Sequence, residues 1–368
     1  MAYATIDKGS KYFNTVTYAG AGTTTQSVTG TGFSPDWIWI KNRTDGYSHV
    51  LQDVCRGFGA TKNIASNRTE AEGTTGATGD NYGHVSTSDS DGFTVTHTIN
   101  GSDDGGTIRK GTHFSGNNYV AWCWDANGTG VSNTSGTITS TVSANTTSGF
   151  SIVSYTGNGT GGATVGHGLG VAPKMIIIKG RATTYNWVVG HNSLSTNWGK
   201  YLTLSTTDAV ETATNVFNDT APTSSLFSIG TALGVNTSSS TYIAYCFAEV
   251  KGYSKFGSYT GNGNADGTFV YTGFKPAFLL IKKSSDAGEY WQIIDNKRDT
   301  YNVTFNRLFP NVSDANNTGL NPNIDFLSNG FKCRTASSGT NGSGGTFIYM
   351  AFADNPFVSS KGIPTTAR

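Results

Sequence analysis

The 368-residue chain has few prolines (8), few cysteines (4) and only 13% charged residues, and its formal charge balances to +1. Each shortage excludes something. Cysteines as far apart as Cys55, Cys123, Cys246 and Cys333 offer no close pair of the kind a zinc site needs. A charge near zero leaves no basic footprint for nucleic acid and no polybasic patch for a membrane surface. No apolar run approaches the roughly 20 residues of a membrane span, so membrane insertion is not expected. Met1 to Lys8 lack the apolar centre of a secretory signal, which predicts a chain made and folded in a cytoplasm. Helical periodicity is scarce too. The best stretch, Thr207 to Phe217, is short and rich in Thr.

What the chain does contain is glycine (48 residues), Thr, Ser and Asn, together with 20 Phe, 17 Tyr and 7 Trp. Small polar residues alone would suit a disordered segment, but such segments are poor in aromatics. Strands favour aromatic and β-branched residues. The composition therefore predicts an all-β protein with many glycine turns.

One phrase organises the chain. Ser34-Pro-Asp-Trp-Ile-Trp-Ile-Lys41 returns as Ala172-Pro-Lys-Met-Ile-Ile-Ile-Lys179 and again as Lys275-Pro-Ala-Phe-Leu-Leu-Ile-Lys282. Proline is tolerated at a strand's first position, before the ladder begins. The unbroken apolar run predicts burial on both faces, with the lysine marking the exit to water. Other segments recur in step. Opening strands end in glycine turns after Tyr18, Tyr155 and Tyr259, and aromatic last strands begin at Tyr119, Tyr242 and Phe347. By residue number these pairs lie 101, 87 and 88 apart. About seven short strands per hundred residues is the pattern of a β-sandwich. The expected architecture is three tandem β-sandwich repeats, at 12–125, 149–250 and 251–357. An N-terminal arm (1–11), a Gly/Ser/Thr linker (126–148) and a C-terminal tail (358–368) complete it. Ile138 and Val142 would let part of the linker lie as an edge strand. The short connection Glu249 to Lys255 predicts close packing of the last two repeats. Cys123 and Cys246 occupy matching positions and read as small buried apolar residues rather than a disulfide.

The search for chemistry returns little. The six histidines (His49, His84, His97, His113, His167 and His191) show no metal-ligand spacing, and no metal or cofactor is expected. His191 stands where the other repeats have Asp53 and Asp295, a polar strand end. Gly157-Asn-Gly-Thr-Gly-Gly162 follows a strand but opens no helix, so it lacks the geometry that cradles phosphate. Asp89-Ser-Asp-Gly92 and Asp103-Asp-Gly-Gly106 could offer oxygens to calcium, but read as Asp/Gly turns. No nucleophile elbow appears and no catalytic residue can be named; a glycosidase would need two carboxylates meeting in one site. Tyr185, Trp198 and Tyr253, in or beside loops, are the candidates for contact with a receptor, where sugar rings could stack.

The phrases Phe150-Ser-Ile-Val-Ser-Tyr-Thr-Gly-Asn-Gly, Gly166-His-Gly-Leu-Gly-Val-Ala-Pro-Lys-Met-Ile, Ile324-Asp-Phe-Leu-Ser-Asn-Gly-Phe-Lys and Met350-Ala-Phe-Ala-Asp-Asn-Pro-Phe resemble a tandem-repeat family of uncharacterised function. That family occurs in structural proteins of tailed bacteriophages, marine ones especially. The resemblance runs from Tyr12 to Phe357, and the first repeat departs most, between Glu72 and Ser90. It implies a non-enzymatic virion protein assembled in the host cytoplasm: a tail fibre or tail-tip component for host attachment. A capsid decoration or head-fibre protein is the alternative, and a polysaccharide-degrading enzyme the less favoured one. The implied partners are other virion proteins and a host surface glycan, with a homotrimer suited to a fibre.

Overall fold

A computed structural model describes residues 5–74, 82–97, 109–317 and 323–353. The tail at 358–368 and the Asp103–Gly106 stretch lie outside the described residues. Regular structure is almost all β, in antiparallel sheets.

The first repeat contributes β1 (Phe13–Ala19), β2 (Thr25–Thr29), β3 (Trp37–Asn42), β4 (Val50–Asp53), β5 (His84–Asp89), β6 (Gly92–Thr96) and β7 (Asn118–Trp124). The linker forms β8 (Val131–Asn133) and β9 (Ser140–Asn145). The second repeat follows with β10 (Phe150–Thr156), β11 (Ala163–Gly166), β12 (Met175–Gly180), β13 (Val188–His191), β14 (Lys200–Thr203), β15 (Glu211–Thr212), β16 (Leu226–Ile229) and β17 (Thr241–Phe247). The third holds β18 (Ser254–Thr260), β19 (Phe269–Tyr271), β20 (Pro276–Lys283), β21 (Gln292–Asp295), β22 (Ile324–Leu327), β23 (Gly330–Cys333) and β24 (Thr346–Ala353). Single helical turns sit at α1 (Thr214–Phe217), α2 (Leu233–Asn236) and α3 (Ser338–Asn341).

One strand order recurs. The large sheets run β1-β7-β3-β4, β10-β17-β12-β13 and β18-β24-β20-β21, each with a small sheet of its own: β2-β6-β5, β11-β16 and β19-β23-β22. The aromatics that measured the period face each other across the ladders. Tyr18 pairs with Tyr119, Tyr155 with Tyr242 and Tyr259 with Phe347, their rings stacked at 5.3, 5.2 and 5.0 Å. The linker is built in: β9 pairs with β10 and extends the second large sheet, and Ile138 and Val142 join its core.

The apolar strands are buried on both faces because they serve two cores. In β3, Ile38 and Ile40 point at the first small sheet, while Trp37 and Trp39 point the other way. In β12, Ile176 and Ile178 face their own small sheet, while Met175 and Ile177 face away. In β20 the split is Leu279 and Ile281 against Phe278 and Leu280. The outward set from all three large sheets meets in one shared core, with Trp122, Trp124, Tyr245, Phe247, Met350 and Phe352 from the last strands. The period of two along a strand makes this division automatic. Within the described part of the arm, Ile6 is buried in the shared core.

Candidate functional site

The seams between repeats are where the polar side chains gather. Three backbone bonds close a ring: Glu72 N–H donates to Arg181 O at 2.8 Å, Val210 N–H to Ser284 O at 2.9 Å and Asn316 N–H to Arg43 O at 2.9 Å. A second ring uses the residues just before β4, β13 and β21. Trp187 Nε1 donates to Ala65 O at 2.9 Å and Trp291 Nε1 to Thr203 O at 2.9 Å, while His49 Nε2 lies 3.0 Å from Phe309 O. A third ring runs from the strand ends that sequence alignment had matched. Tyr245 Oη donates to Asp53 at 2.8 Å, Trp122 Nε1 to Asp295 at 3.0 Å, and His191 Nε2 lies 3.3 Å from Tyr349 O. Burial lowers the His191 pKa to about 4, so at neutral pH the ring is uncharged. Asp53 and Asp295 each hold a buried arginine, Arg56 and Arg298.

The repeated lysines correct an expectation. Lys41, Lys179 and Lys282 do not exit to water; each is 0% exposed. The Lys179 ammonium donates to Thr69 O and Gly180 O, both at 2.9 Å, and that of Lys282 to Glu289 O at 2.8 Å and Thr207 O at 3.2 Å. Thr69 and Thr207 belong to the preceding repeat. Burial lowers the pKa of Lys41 to about 7 and those of Lys179 and Lys282 to about 8.

Two of the three receptor-contact candidates are core residues. Trp198 is 3% exposed and edges against Phe217 at 5.3 Å; Tyr253 is 1% exposed, between Tyr12 and Phe352. Neither offers a ring face to a ligand. Tyr185 is half-buried on the loop after β12. The structure does not bring the three together in one hydrophobic core: Trp198 and Tyr253 belong to different ones.

The glycine loops are occupied by the protein itself. Asn236 Oδ1 accepts from Asn158 N–H at 2.9 Å and its Nδ2 donates to Thr160 O at 2.9 Å; Asn341 does the same for Asn262 and Asn264 at 3.0 and 2.8 Å. The amides that a phosphate would need are thus already partnered. These asparagines were missed in the sequence, although each stands six residues before the first aromatic of its last strand, and so does His113. Asp89 and Asp91 serve the β5–β6 turn: Asp89 accepts from Thr87 and Thr94, and Asp91 from Gly32 N–H. Among the described residues no group of three His, Cys, Asp or Glu is placed to hold a metal ion. All four cysteines are unpaired.

One carboxylate pair stands out among the described residues. Asp36 and Asp125 sit side by side where β3 begins and β7 ends, and burial together with the charge of Asp36 pushes the Asp125 carboxyl up to about 6. Both hold the linker. Asp36 accepts from Ala126 and Gly128 N–H at 2.7 and 2.9 Å, and Asp125 from Asn145 Nδ2 at 2.8 Å.

The outer surface breaks the symmetry. Among the described residues the strongly exposed aromatics are Phe269, Tyr271, Tyr290, Tyr301 and Phe305, all in the third repeat. Phe269 and Tyr271 flank the inward Val270 on β19, an edge strand. Thr304 bridges to Ile324 at the other side of that sheet, beside exposed Tyr301 and Phe305.

Residues 8–356 match the family described as a domain of unknown function (DUF7483). The chain belongs to that family. The match spans all three large sheets, so the family unit is the whole ring rather than a single repeat. No curated protein and no solved structure matches the chain.

Proposed function

We propose that this chain is a non-enzymatic structural protein of a bacteriophage virion, most fittingly a tail fibre or tail-tip component that contacts the host surface. The observation that carries the reading is the use of the buried polar groups. Asp53, Asp295, His191, the three lysines and the loop asparagines all bind the protein's own backbone or side chains, and hold a rigid scaffold rather than a reaction centre. Rigid scaffolds that present variable outer surfaces suit recognition. The resemblance to phage tandem-repeat proteins supports the virion setting. The threefold arrangement that a fibre would take from a homotrimer is supplied here within one chain.

The test is immuno-gold electron microscopy of purified virions with antibody against the full chain. Label at the tail is the expected result. Label over the head would move the protein to capsid decoration, and particles without label would overturn the virion reading. A second reading, a polysaccharide-degrading enzyme, draws on the Asp36–Asp125 pair. It requires that Asp125→Asn abolish depolymerisation of host polysaccharide by the purified chain; absence of any such activity in the unaltered chain removes it.

A further inference from the structure

We propose that the outer face of the third small sheet, centred on Phe269 and Tyr271, is a binding site for a neutral saccharide. The inference rests on the reading of the chain as a surface-contacting protein and names the ligand class.

The first argument is that the fold does not need these rings. Phe269 pairs with Lys332 and Tyr271 with Gly330. In the first repeat the equivalent pairs are Ser27 with Thr94 and Thr29 with Gly92; in the second, Thr164 with Ser228 and Gly166 with Leu226. The inward residues, Val270 and Phe331, match Val28 and Phe93 and fill the sandwich in the same way. On the strand that carries Phe269 and Tyr271, the outward positions are small in the other two repeats (Ser27 and Thr29, Thr164 and Gly166) and aromatic only here. Phe269 does pack over Gly330, with a ring carbon 3.0 Å from where a Cβ would sit. Gly92 occupies the same place opposite Thr29, with Ser27 where Phe269 stands, so cover for glycine is not the reason.

The second argument is the charge around the rings. Lys332 pairs with Asp266 at 2.6 Å and Arg334 with Asp325 at 3.3 Å. Phe269 is 44% and Tyr271 60% exposed, so two large apolar faces stand in water beside two cations and two anions that cancel. A face with balanced charge gives nucleic acid or an anionic membrane no attraction. Donors and acceptors beside flat apolar rings match a pyranose: its C–H face stacks on an aromatic ring, and its rim of hydroxyls exchanges hydrogen bonds with carboxylates and cationic side chains. A rigid ring on a strand loses little entropy on binding.

The test is a glycan array of neutral and acidic bacterial surface oligosaccharides, probed with the purified full chain and with the double variant Phe269→Ser/Tyr271→Thr. That variant copies the first repeat, so its fold should be kept, and a thermal melt matching the parent's checks this. The expected result is binding of the parent to neutral oligosaccharides and a loss of roughly tenfold or more in the folded variant. Equal binding by the variant, binding confined to acidic glycans, or no binding at all overturns the proposal. So does a parent that dimerises through this face, with dimers lost in the variant and no glycan bound. Virion labelling is read separately. Tail label with a silent array sinks the saccharide site and leaves the virion reading standing; a positive array with unlabelled particles does the reverse.

Discussion

At the scale of single residues, Lys41, Lys179 and Lys282 carry the clearest consequence. Their stems fill the seams and their ammonium groups bond carbonyls, which a desolvated lysine can do with three donors. The folded chain gives up the Lys41 proton near pH 7 and those of Lys179 and Lys282 near 8, against roughly 10.4 for a lysine in the unfolded chain. Between these values the unfolded state binds more protons, so stability rises with pH. The buried His191 completes its own change below this window, as does Asp125, raised to about 6. Buried thiols, held above their ordinary values, begin to oppose the rise as unfolded cysteines ionise toward about pH 8.5, and buried tyrosines oppose it only at higher pH. Urea midpoints should therefore increase from about pH 7 to about 8, by up to about 1.4 kcal/mol per pH unit for each fully shifted lysine. Lys41→Met should flatten the slope; a slope unchanged in that variant would show that the lysine does not titrate there. The carboxylates act at these seams as well. Glu72 pairs with Arg181 at 2.6 Å, with its carboxyl held below the usual range by its cationic neighbours against the burial that raises it. A lowered carboxyl contributes stability above its unfolded pKa and loses it as pH falls. Glu72→Gln should cost the first seam stability at neutral pH, by an amount that shrinks in acid urea melts.

At the scale of elements, the strands were legible and their partners were not. The apolar runs that became β3, β12 and β20, the opening strands and the last strands stand where alternation and glycine turns placed them. Pro276 begins β20 beside an irregularity in the ladder, as a residue without an N–H must. The recurrence extends past these strands: Ile64 bridges to Leu51 and Leu308 to Ile293, matching the β13–β14 pair. What no alignment displays is that the indole N–H of Trp187 and that of Trp291 cross to a carbonyl of the preceding repeat. The Ala65 carbonyl also accepts from Arg68 N–H at 3.2 Å, so Trp187→Phe keeps the apolar bulk and removes one of its two bonds, at a cost of about 0.5–1.5 kcal/mol. Paired with Ala65→Gly, which leaves that carbonyl in place, it should be no less costly. A Trp187→Phe chain as stable as the parent in urea would show that the bond from Arg68 satisfies this carbonyl by itself.

At the scale of the molecule, the shared core binds the three repeats into one unit. Trp37, Trp124, Phe150, Tyr245, Phe247, Phe278 and Phe352 pack together, with Trp37 stacked on Tyr245 of the second repeat at 4.1 Å and Phe278 edge-on to Phe13 of the first at 5.2 Å. No repeat can keep this face buried alone, and an exposed patch of that kind is not tolerated in water. Calorimetry should give one cooperative transition with equal calorimetric and van't Hoff enthalpies. Trp37→Ala should lower the whole transition, by roughly 3–5 kcal/mol, instead of splitting off the first repeat. Separate melting of one repeat would show that the seams are weaker than the shared core implies.

The sequence by itself determined the all-β class, the positions of the strands and the threefold recurrence, because each is written in the order of neighbours along the chain: a period of two, a proline at a strand start, a glycine at a turn. The tertiary structure alone decided which residues meet water. Trp198 and Tyr253 stand beside loops and are buried, the repeated lysines stand at strand ends and are buried, and Phe269 and Tyr271 lie within a strand and are exposed. Burial is the sum of what other segments bring to a residue from far along the chain, and for Lys179 and Lys282 part of it comes from the preceding repeat.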